Sequence, residues 1–199
     1  MIYESLYSSP TGLKTVGFAV SAYLLIAHSI GLAKPAAVKA GLKALPRHQM
    51  AGRILIGLVA IWCYGLFQGL NLGVVEIPQM SMGEFYHLRG ILTWAVLIGA
   101  GLVIYYADEF LSVRALGCLM LLAACVILDA AFLKEPASRL LVVIFAYAMI
   151  FKALFFIGMP YLFRDGVDWV IANDKRWRPA MIAGLAYGVA VLICTLAYY

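Results

Sequence analysis

The sequence contains few charged residues, and this shortage excludes an ordinary soluble domain. Asp, Glu, Lys and Arg make up 13% of its 199 residues, against about a quarter in soluble proteins. Cysteine and histidine are also sparse, with four and three copies, and every cysteine lies inside an apolar stretch. Their spacing fits neither a disulfide framework nor a metal site. We therefore predict no metal, no cofactor and no secreted disulfide-rich fold.

Catalytic motifs are missing as well. The chain has no Ser-His-Asp order, no His-Glu-x-x-His, no glycine-rich phosphate loop and no clustered acidic motif. Basic residues exceed acidic ones by 15 to 10, and they lie mostly between apolar stretches, which is typical of membrane topology rather than of nucleic-acid binding. No motif points to a particular family. We predict a protein that is not an enzyme, has no catalytic residue and binds no nucleic acid.

Long apolar runs dominate what is present. Hydrophobic residues make up 65% of the chain, and they fall into six runs of about 20 residues, the length that a helix needs to cross a bilayer. The sequence therefore predicts an all-α, polytopic integral membrane protein whose six transmembrane helices form one domain over residues 1–199. The predicted spans are residues 15–33, 54–70, 90–107, 115–133, 140–163 and 180–199.

Basic residues are distributed unevenly between the connections of these spans. The first, third and fifth connections carry ten Lys and Arg residues, and the opposite side carries four. Cytoplasmic loops are enriched in basic residues. We therefore expect a multi-pass protein of a bacterial inner membrane, with the odd-numbered connections in the cytoplasm and both termini outside it.

Two of the basic connections have the pattern of short helices lying on the membrane surface. In residues 35–46, Val38, Leu42 and Leu45 form an apolar stripe, and residues 164–176 show a similar amphipathic pattern. Their simplest role is to anchor the topology, and a specific lipid or partner site is the alternative. The residues expected to face lipid headgroups are Lys39, Lys43, Arg47, Lys175, Arg176 and Arg178.

Lys152 is the main exception to the apolar pattern of the spans. It lies about 18–20 Å along the predicted fifth span from the nearest arginine on either side. A charge at such depth costs at least about 2.5–3.5 kcal/mol, so we expect the side chain to face protein or water. One interpretation is a lysine that bonds backbone carbonyls, Tyr23 and Tyr147. A second is a proton or ion relay that it forms with His28, the polar group closest to it in depth, and a third is a contact with a substrate or cofactor.

Polar and aromatic side chains also gather in the outer half of the second, third and fourth spans. Asp129 is the only acidic residue well inside a span. These residues could line an outward-facing polar pocket if they share a face. Alternatively, the tryptophans are interface aromatics and Asp129 reaches the outer headgroups. The cluster consists of Trp62, Tyr64, Gln68, Thr93, Trp94 and Asp129.

A weak internal similarity allows the six spans to be read as three out-in-out hairpins. Residues 22–35 and 146–160 each begin with Ala-Tyr, carry an ionisable side chain five residues after the tyrosine, and end at a proline. Parallel repeats of this kind occur in transporters. Apolar helices of low complexity also align by chance, so both interpretations stay open.

Small residues at a spacing of four mark two helices for close packing. Helices in lipid associate where small side chains let the backbones approach. The contacts could lie within one chain or between subunits. The candidate packing residues are Gly65, Gly69 and Gly73 in and after the second span, and Ala180, Gly184 and Gly188 in the sixth.

These features favour an accessory or assembly subunit of a membrane complex. We expect it to contact membrane lipids and either further copies of itself or other membrane subunits. A small transporter that moves ions or protons through Lys152 and His28 is the first alternative. A redox anchor that carries a cofactor is the second, although only His28 lies deep enough to ligate a transmembrane haem.

Overall fold

The computed structural model describes residues 2–3, 8–9, 11–71, 76–77, 79–106 and 110–199. Eight α-helices have bounds within these residues: α1 (Gly12–Ala33), α2 (Pro35–Ala44), α3 (Gln49–Gln68), α4 (Arg89–Tyr106), α5 (Leu111–Ala131), α6 (Arg139–Gly158), α7 (Tyr161–Ile171) and α8 (Asp174–Ala197). Two 3-10 turns and two short strands accompany them: Leu45–Arg47, Gly83–Leu88, β1 (Leu70–Asn71) and β2 (Glu76–Ile77). Six of the helices are long and apolar enough to cross a membrane. The six predicted spans are thereby confirmed as helices.

The fifth predicted span ends earlier than the sequence analysis placed it. It was expected to continue to residue 163, but α6 ends at Gly158, and Met159 leaves the helical conformation at φ −132° and ψ 67°. Pro160 explains the break, because proline lacks an N–H and disfavours a helical conformation in the residue before it. The chain then starts α7. Lys152 consequently lies six residues, or about 9 Å, from the end of its helix.

The helices have two chemically different ends. We call the end formed by residues 34–53, 110–114 and 159–178 the cationic end, because it holds ten of the 15 Lys and Arg side chains. We call the opposite end the strand end, because β1 pairs there with β2 in an antiparallel register of Leu70 with Ile77. The functional side chains are therefore best located by their distance from these two ends.

Helix α5 occupies the centre of the bundle. It packs closely on α6 and α3 and also touches α1, while α1 pairs with α8. The largest core cluster joins α1, α5, α6 and α8 around fully buried Ala124, Val142 and Val191. Helix α4 lies at the edge, mainly against α3, and only Thr93 of its residues is buried. The closest pairs are thus first with sixth and fourth with fifth, which differs from the pairs of the three predicted hairpins.

The glycines after the middle of α3 do not mediate helix crossings. A Cβ atom on Gly65 would lie 2.9 Å from Ile77 of β2, so this glycine makes room for the strand hairpin. Gly69 follows the last residue of α3 with a φ of +74°, a conformation that favours glycine. Gly73 lies outside the described residues. The expected packing role of Gly65 and Gly69 is replaced by turn formation and contact with a loop.

The glycines of α8 do lie at a helix crossing. A Cβ atom on Gly188 would come within 2.9 Å of Leu24 in α1, and one on Gly184 would overlap the His28 ring. Ala180 is exposed. Two further close approaches were not identified from the sequence: Gly52 faces the backbone of Ser112, and Gly117 faces Ala153. These glycines bring α3 and α6 against the central helix.

Candidate functional site

Lys152 lies on an exposed face of α6 rather than inside the bundle. Its neighbours on this face include Tyr147 and Phe151, which are 61% and 65% exposed, and Ala148 one turn before it. Within the described residues, Lys152 forms no ion pair, since the three ion pairs present involve other side chains. The described part of the fold therefore gives this lysine, in a helix long and apolar enough to cross a membrane, no ion-pair partner.

The groups expected to satisfy Lys152 are engaged elsewhere or directed away. The Nδ1 atom of His28 lies 2.7 Å from the carbonyl oxygen of Leu24, and its ring packs against Gly184. Tyr23 and Tyr147 are both exposed. No hydrogen bond joins Lys152 to any of these side chains in the described part of the protein. A relay through His28 and Lys152 therefore has no direct connection in this fold.

Asp129 binds the beginning of the described chain at the strand end. Its Oδ2 atom accepts hydrogen bonds from the backbone N–H groups of Ile2 and Tyr3 at 3.0 Å and 2.8 Å. The Tyr3 side chain is buried, and its hydroxyl accepts a 2.6 Å hydrogen bond from Nε1 of Trp62. Burial raises the pKa of the Tyr3 hydroxyl, and the Trp62 hydrogen bond opposes that rise only in part. Tyr3 thus links α3 to α5.

The remaining polar residues of the outer cluster form a second, separate network. Gln68 donates to the Thr93 hydroxyl over 3.1 Å and accepts from Arg89 over 2.9 Å. Thr93 in turn donates to the Arg89 carbonyl oxygen. Tyr64 and Trp94 are exposed and join neither network. The cluster expected to form one pocket is divided, and Tyr3 occupies the region between Trp62 and Asp129.

Sequence reasoning did not identify Tyr3 as part of this arrangement. It lies 126 residues before Asp129 in the chain, and it precedes the first apolar run. No periodic pattern connects the two positions. The signal available in the sequence was an acidic residue inside a span, which needs a donor but does not indicate where that donor lies.

At the cationic end, α2 is joined to the start of α8. Lys39 lies 2.6 Å from the Asp174 carboxylate and 5.3 Å from the centre of the Trp177 ring. Trp177 is buried and donates its indole N–H to the Gly31 carbonyl oxygen over 3.1 Å. Lys39, which was expected to face lipid headgroups, is therefore committed to contacts that connect α1, α2 and α8.

The other cationic side chains at this end are less constrained by contacts than Lys39. Lys43 lies 4.0 Å from Asp168 of α7, and Arg176 stacks 4.3 Å from the Trp169 ring. Arg47, Lys175 and Arg178 are exposed. These side chains are therefore available to an anionic ligand, in contrast to Lys39.

The described residues bring together charges and hydrogen-bonding groups, but they contain no cluster of three or more His, Cys, Asp or Glu side chains able to hold a metal ion. Comparisons with protein-family models, curated proteins and solved structures found no match. Function is therefore inferred from the chemistry of the side chains themselves. Among the described residues, the exposed Lys152 face and the cationic end are the arrangements from which function is inferred below.

Proposed function

We propose that this protein is a non-catalytic accessory or assembly subunit of a membrane complex, and that the face of α6 around Lys152 binds a membrane helix of a different subunit. The observation that supports the proposal is the exposed, unpaired Lys152. Ionisable side chains inside spans almost always face a bundle interior or pair with another charge. A partner that covers α6 would give Lys152 the ion pair that the described residues of its own chain do not provide.

The chemistry of this face indicates the chemistry of the partner. Ile144, Tyr147, Phe151 and Leu154 form an exposed apolar strip along α6, and Lys152 lies at one edge of this strip. Ala148 lies one turn from Lys152 and leaves room for a second backbone. An apolar helix that carries an Asp or Glu at the matching depth would neutralise the ammonium. Opposite charges attract strongly where water is excluded.

A second copy of this chain does not fit that description. A twofold interface through this face would place the same surface of each copy against the other, and so would bring the two lysines close together. Asp129 is close to the strand end and already accepts two backbone hydrogen bonds. Of the two kinds of partner expected from the sequence, the arrangement therefore favours another membrane subunit over a homo-oligomer.

Lys152 could also extend its ammonium toward the headgroups at the cationic end, about 9 Å away along the helix axis. Side chains on an α-helix lean toward the helix N-terminus, which for α6 is the strand end. Extension toward the cationic end therefore works against this lean. A carboxylate on a neighbouring helix at the depth of Lys152 would pair with the ammonium without such an extension.

The proposal includes an orientation in the membrane. The excess of basic residues assigns the cationic end to the cytoplasm of a bacterial inner membrane, with α2 and α7 lying along that surface. In this orientation Lys152 is in the cytoplasmic half of its span. The partner's carboxylate is then expected in the cytoplasmic half of a membrane helix.

The proposal is tested by purifying the affinity-tagged protein in a mild detergent from the cells that naturally produce it. Native mass spectrometry should find a particle heavier than the 21.7 kDa chain by the mass of a second polypeptide. Lys152→Met should release that polypeptide because it leaves the partner's carboxylate unpaired. Lys152→Asp should also release it. Replacing the partner's acidic residue with lysine should then restore binding to the Lys152→Asp variant, because the two charges are exchanged.

Leu154→Met is the matched control, because it alters an exposed neighbour on the same helix without changing the charge. It should leave the complex intact. A strictly monomeric wild-type particle, or a complex that Lys152→Met leaves unchanged, contradicts the proposal. If the pure protein in liposomes instead carries a proton or solute flux that Lys152→Met abolishes, the transporter is favoured.

A further inference from the structure

A cavity of about 490 Å³ opens at the cationic end between α2, the start of α3 and α7. Its polar wall is formed by Lys43, Arg47, Gln49, Arg164 and Asp168. Pockets of this size hold small molecules and headgroups. The cavity is separate from the Lys152 face, since none of its lining residues belongs to α6.

The wall of the cavity has an excess of positive charge. It contains three basic side chains and one carboxylate. Asp168 approaches Lys43 only to 4.0 Å, the outer limit of an ion pair. Arg164 uses its Nε atom for Asp165 at 3.0 Å, which leaves its terminal guanidinium nitrogens for another acceptor. Arg47 makes no ion pair among the described residues.

Helix α3 adds to this positive potential. It begins at Gln49, on the wall of the cavity. The N-terminus of an α-helix carries about half a positive charge, which favours anions. In α3 the His48 ring already accepts the Ala51 N–H, so the helix contributes mainly through this charge. Guanidinium groups are suited to phosphate because their N–H donors match two phosphate oxygens at once. The chemistry of the wall therefore selects an oxyanion, and phosphate is the natural class.

The surface next to the cavity indicates a lipid as the source of the phosphate. Met50, Ile54 and Leu58 follow Gln49 at a spacing of four along α3 and are 62%, 58% and 49% exposed. They form an exposed apolar strip on α3 that begins one residue after the cavity-lining Gln49 and continues along the span. Cationic pockets beside apolar helix surfaces match the polar head and acyl chains of an anionic phospholipid.

We propose that this cavity binds the phosphate of an anionic membrane phospholipid, with Arg47 and Arg164 as its main ligands and the acyl chains along Met50, Ile54 and Leu58. The lipid would join α2, α3 and α7 at the membrane surface. This inference does not depend on a partner subunit. Lys152→Met should therefore leave lipid binding unchanged.

The test measures lipid retention by native mass spectrometry on the purified protein in neutral detergent micelles. Phosphatidylglycerol is added in one arm, phosphatidylcholine in a second, and inorganic phosphate in a third. The wild type should retain phosphatidylglycerol in preference to phosphatidylcholine. Combined Arg47→Gln and Arg164→Gln should weaken that retention about tenfold or more, since each cation near a membrane surface contributes about a factor of five.

Combined Lys34→Gln and Lys175→Gln is the matched control, because it removes the same charge from exposed positions at the same end but outside the cavity. An equal loss of phosphatidylglycerol in this control overturns the proposal in favour of diffuse attraction. Equal retention of the two lipids also overturns it. Stabilisation by inorganic phosphate alone, without retained phosphatidylglycerol, assigns the cavity to a soluble phosphate instead of a lipid.

The arginine variants carry their own check on folding. Combined Arg47→Lys and Arg164→Lys keeps both charges but removes the bidentate hydrogen bonding of the guanidinium groups. If the charge at this cavity binds the phosphate, this variant retains more lipid than the glutamine pair and less than the wild type. If all arginine variants elute as aggregates while the control pair stays monodisperse, the two arginines are structural and the proposal is overturned.

Discussion

Asp129 accepts backbone hydrogen bonds from Ile2 and Tyr3, whereas Lys152 has no acceptor among the described residues. Both are charged side chains within spans. A buried carboxylate without donors costs several kcal/mol, so two N–H groups aimed at one oxygen make its position tolerable. By the same reasoning, Lys152 is unsatisfied as far as the described residues show. The neighbours that the fold provides therefore distinguish the two residues: Asp129 has a structural role, and Lys152 is the candidate for binding a partner.

The link between α3 and α5 through Tyr3 is testable at a single atom. Tyr3→Phe removes the hydroxyl that accepts from Trp62, and should lower the free energy of unfolding by about 1 kcal/mol because the half-buried indole N–H loses its acceptor. Denaturant unfolding in mixed micelles measures the change. Tyr64→Phe is the control, since that side chain is exposed. Equal stability of the wild type and Tyr3→Phe would show that water replaces the hydroxyl.

At the scale of the elements, close backbone approach decides which helices are neighbours. Gly117 of α5 faces α6 so closely that an added Cβ atom would lie 3.0 Å from the Ala153 carbonyl oxygen and 2.8 Å from Ile157. Because the backbone oxygen cannot rotate away as a side chain can, the two helices must separate to admit a methyl group. Gly57 in α3 has open space around it.

Gly117→Ala should therefore lower the free energy of unfolding by about 1–3 kcal/mol through overpacking. Gly57→Ala makes the same chemical change in open space and should leave stability nearly unaltered. Thermal unfolding of the two variants in the same detergent compares them directly. Equal melting temperatures would mean that α5 and α6 are not held at the distance described.

The sequence predicts the spans well and their neighbours poorly, for a physical reason. Long apolar runs can only be helices in lipid, so six of them were identifiable. The boundaries were less accurate: the fifth span ends five residues early, before Pro160, and α3 and α8 begin five and six residues before their predicted starts. Lipid-facing and protein-facing surfaces are both apolar, however, so hydropathy cannot show that Lys152 faces outward or that α1 pairs with α8. Small residues predict close packing but not which element packs there, as the contact of Gly65 with Ile77 of β2 shows.

For the candidate site, the sequence identified single residues better than their combinations. Basic residues at one end were predicted from charge alone, and Lys43 and Arg47 do line the cavity there. Arg164 joins them from more than a hundred residues away in the chain. Arg164 reaches the cavity because the chain turns at Pro160 and places α7 against α2. The residue pattern predicts the turn but not its direction.

At the scale of the whole molecule, both proposals depend on which compartment the cationic end faces. Because successive spans run in opposite directions, residues 34–48 and 159–173 lie at one end of the bundle and residues 79–88 and 132–138 lie at the other. The two ends are about 30 Å apart, since each span has about 20 residues. The positive-inside rule assigns the first set to the cytoplasm. Chemical access from one side of the membrane distinguishes the two sets.

We expect Ala40→Cys and Gly166→Cys, in a cysteine-free background, to react with a membrane-impermeant maleimide only after cells are permeabilised. Gln79→Cys and Ala137→Cys should react in intact cells. All four positions are exposed, so differences in reactivity report the compartment rather than burial. A reversed pattern would preserve the six spans and place the phospholipid cavity outside the cytoplasm. Reaction of positions 40 and 79 from the same side would remove the second span, and with it the bundle on which the Lys152 face and the cavity both depend.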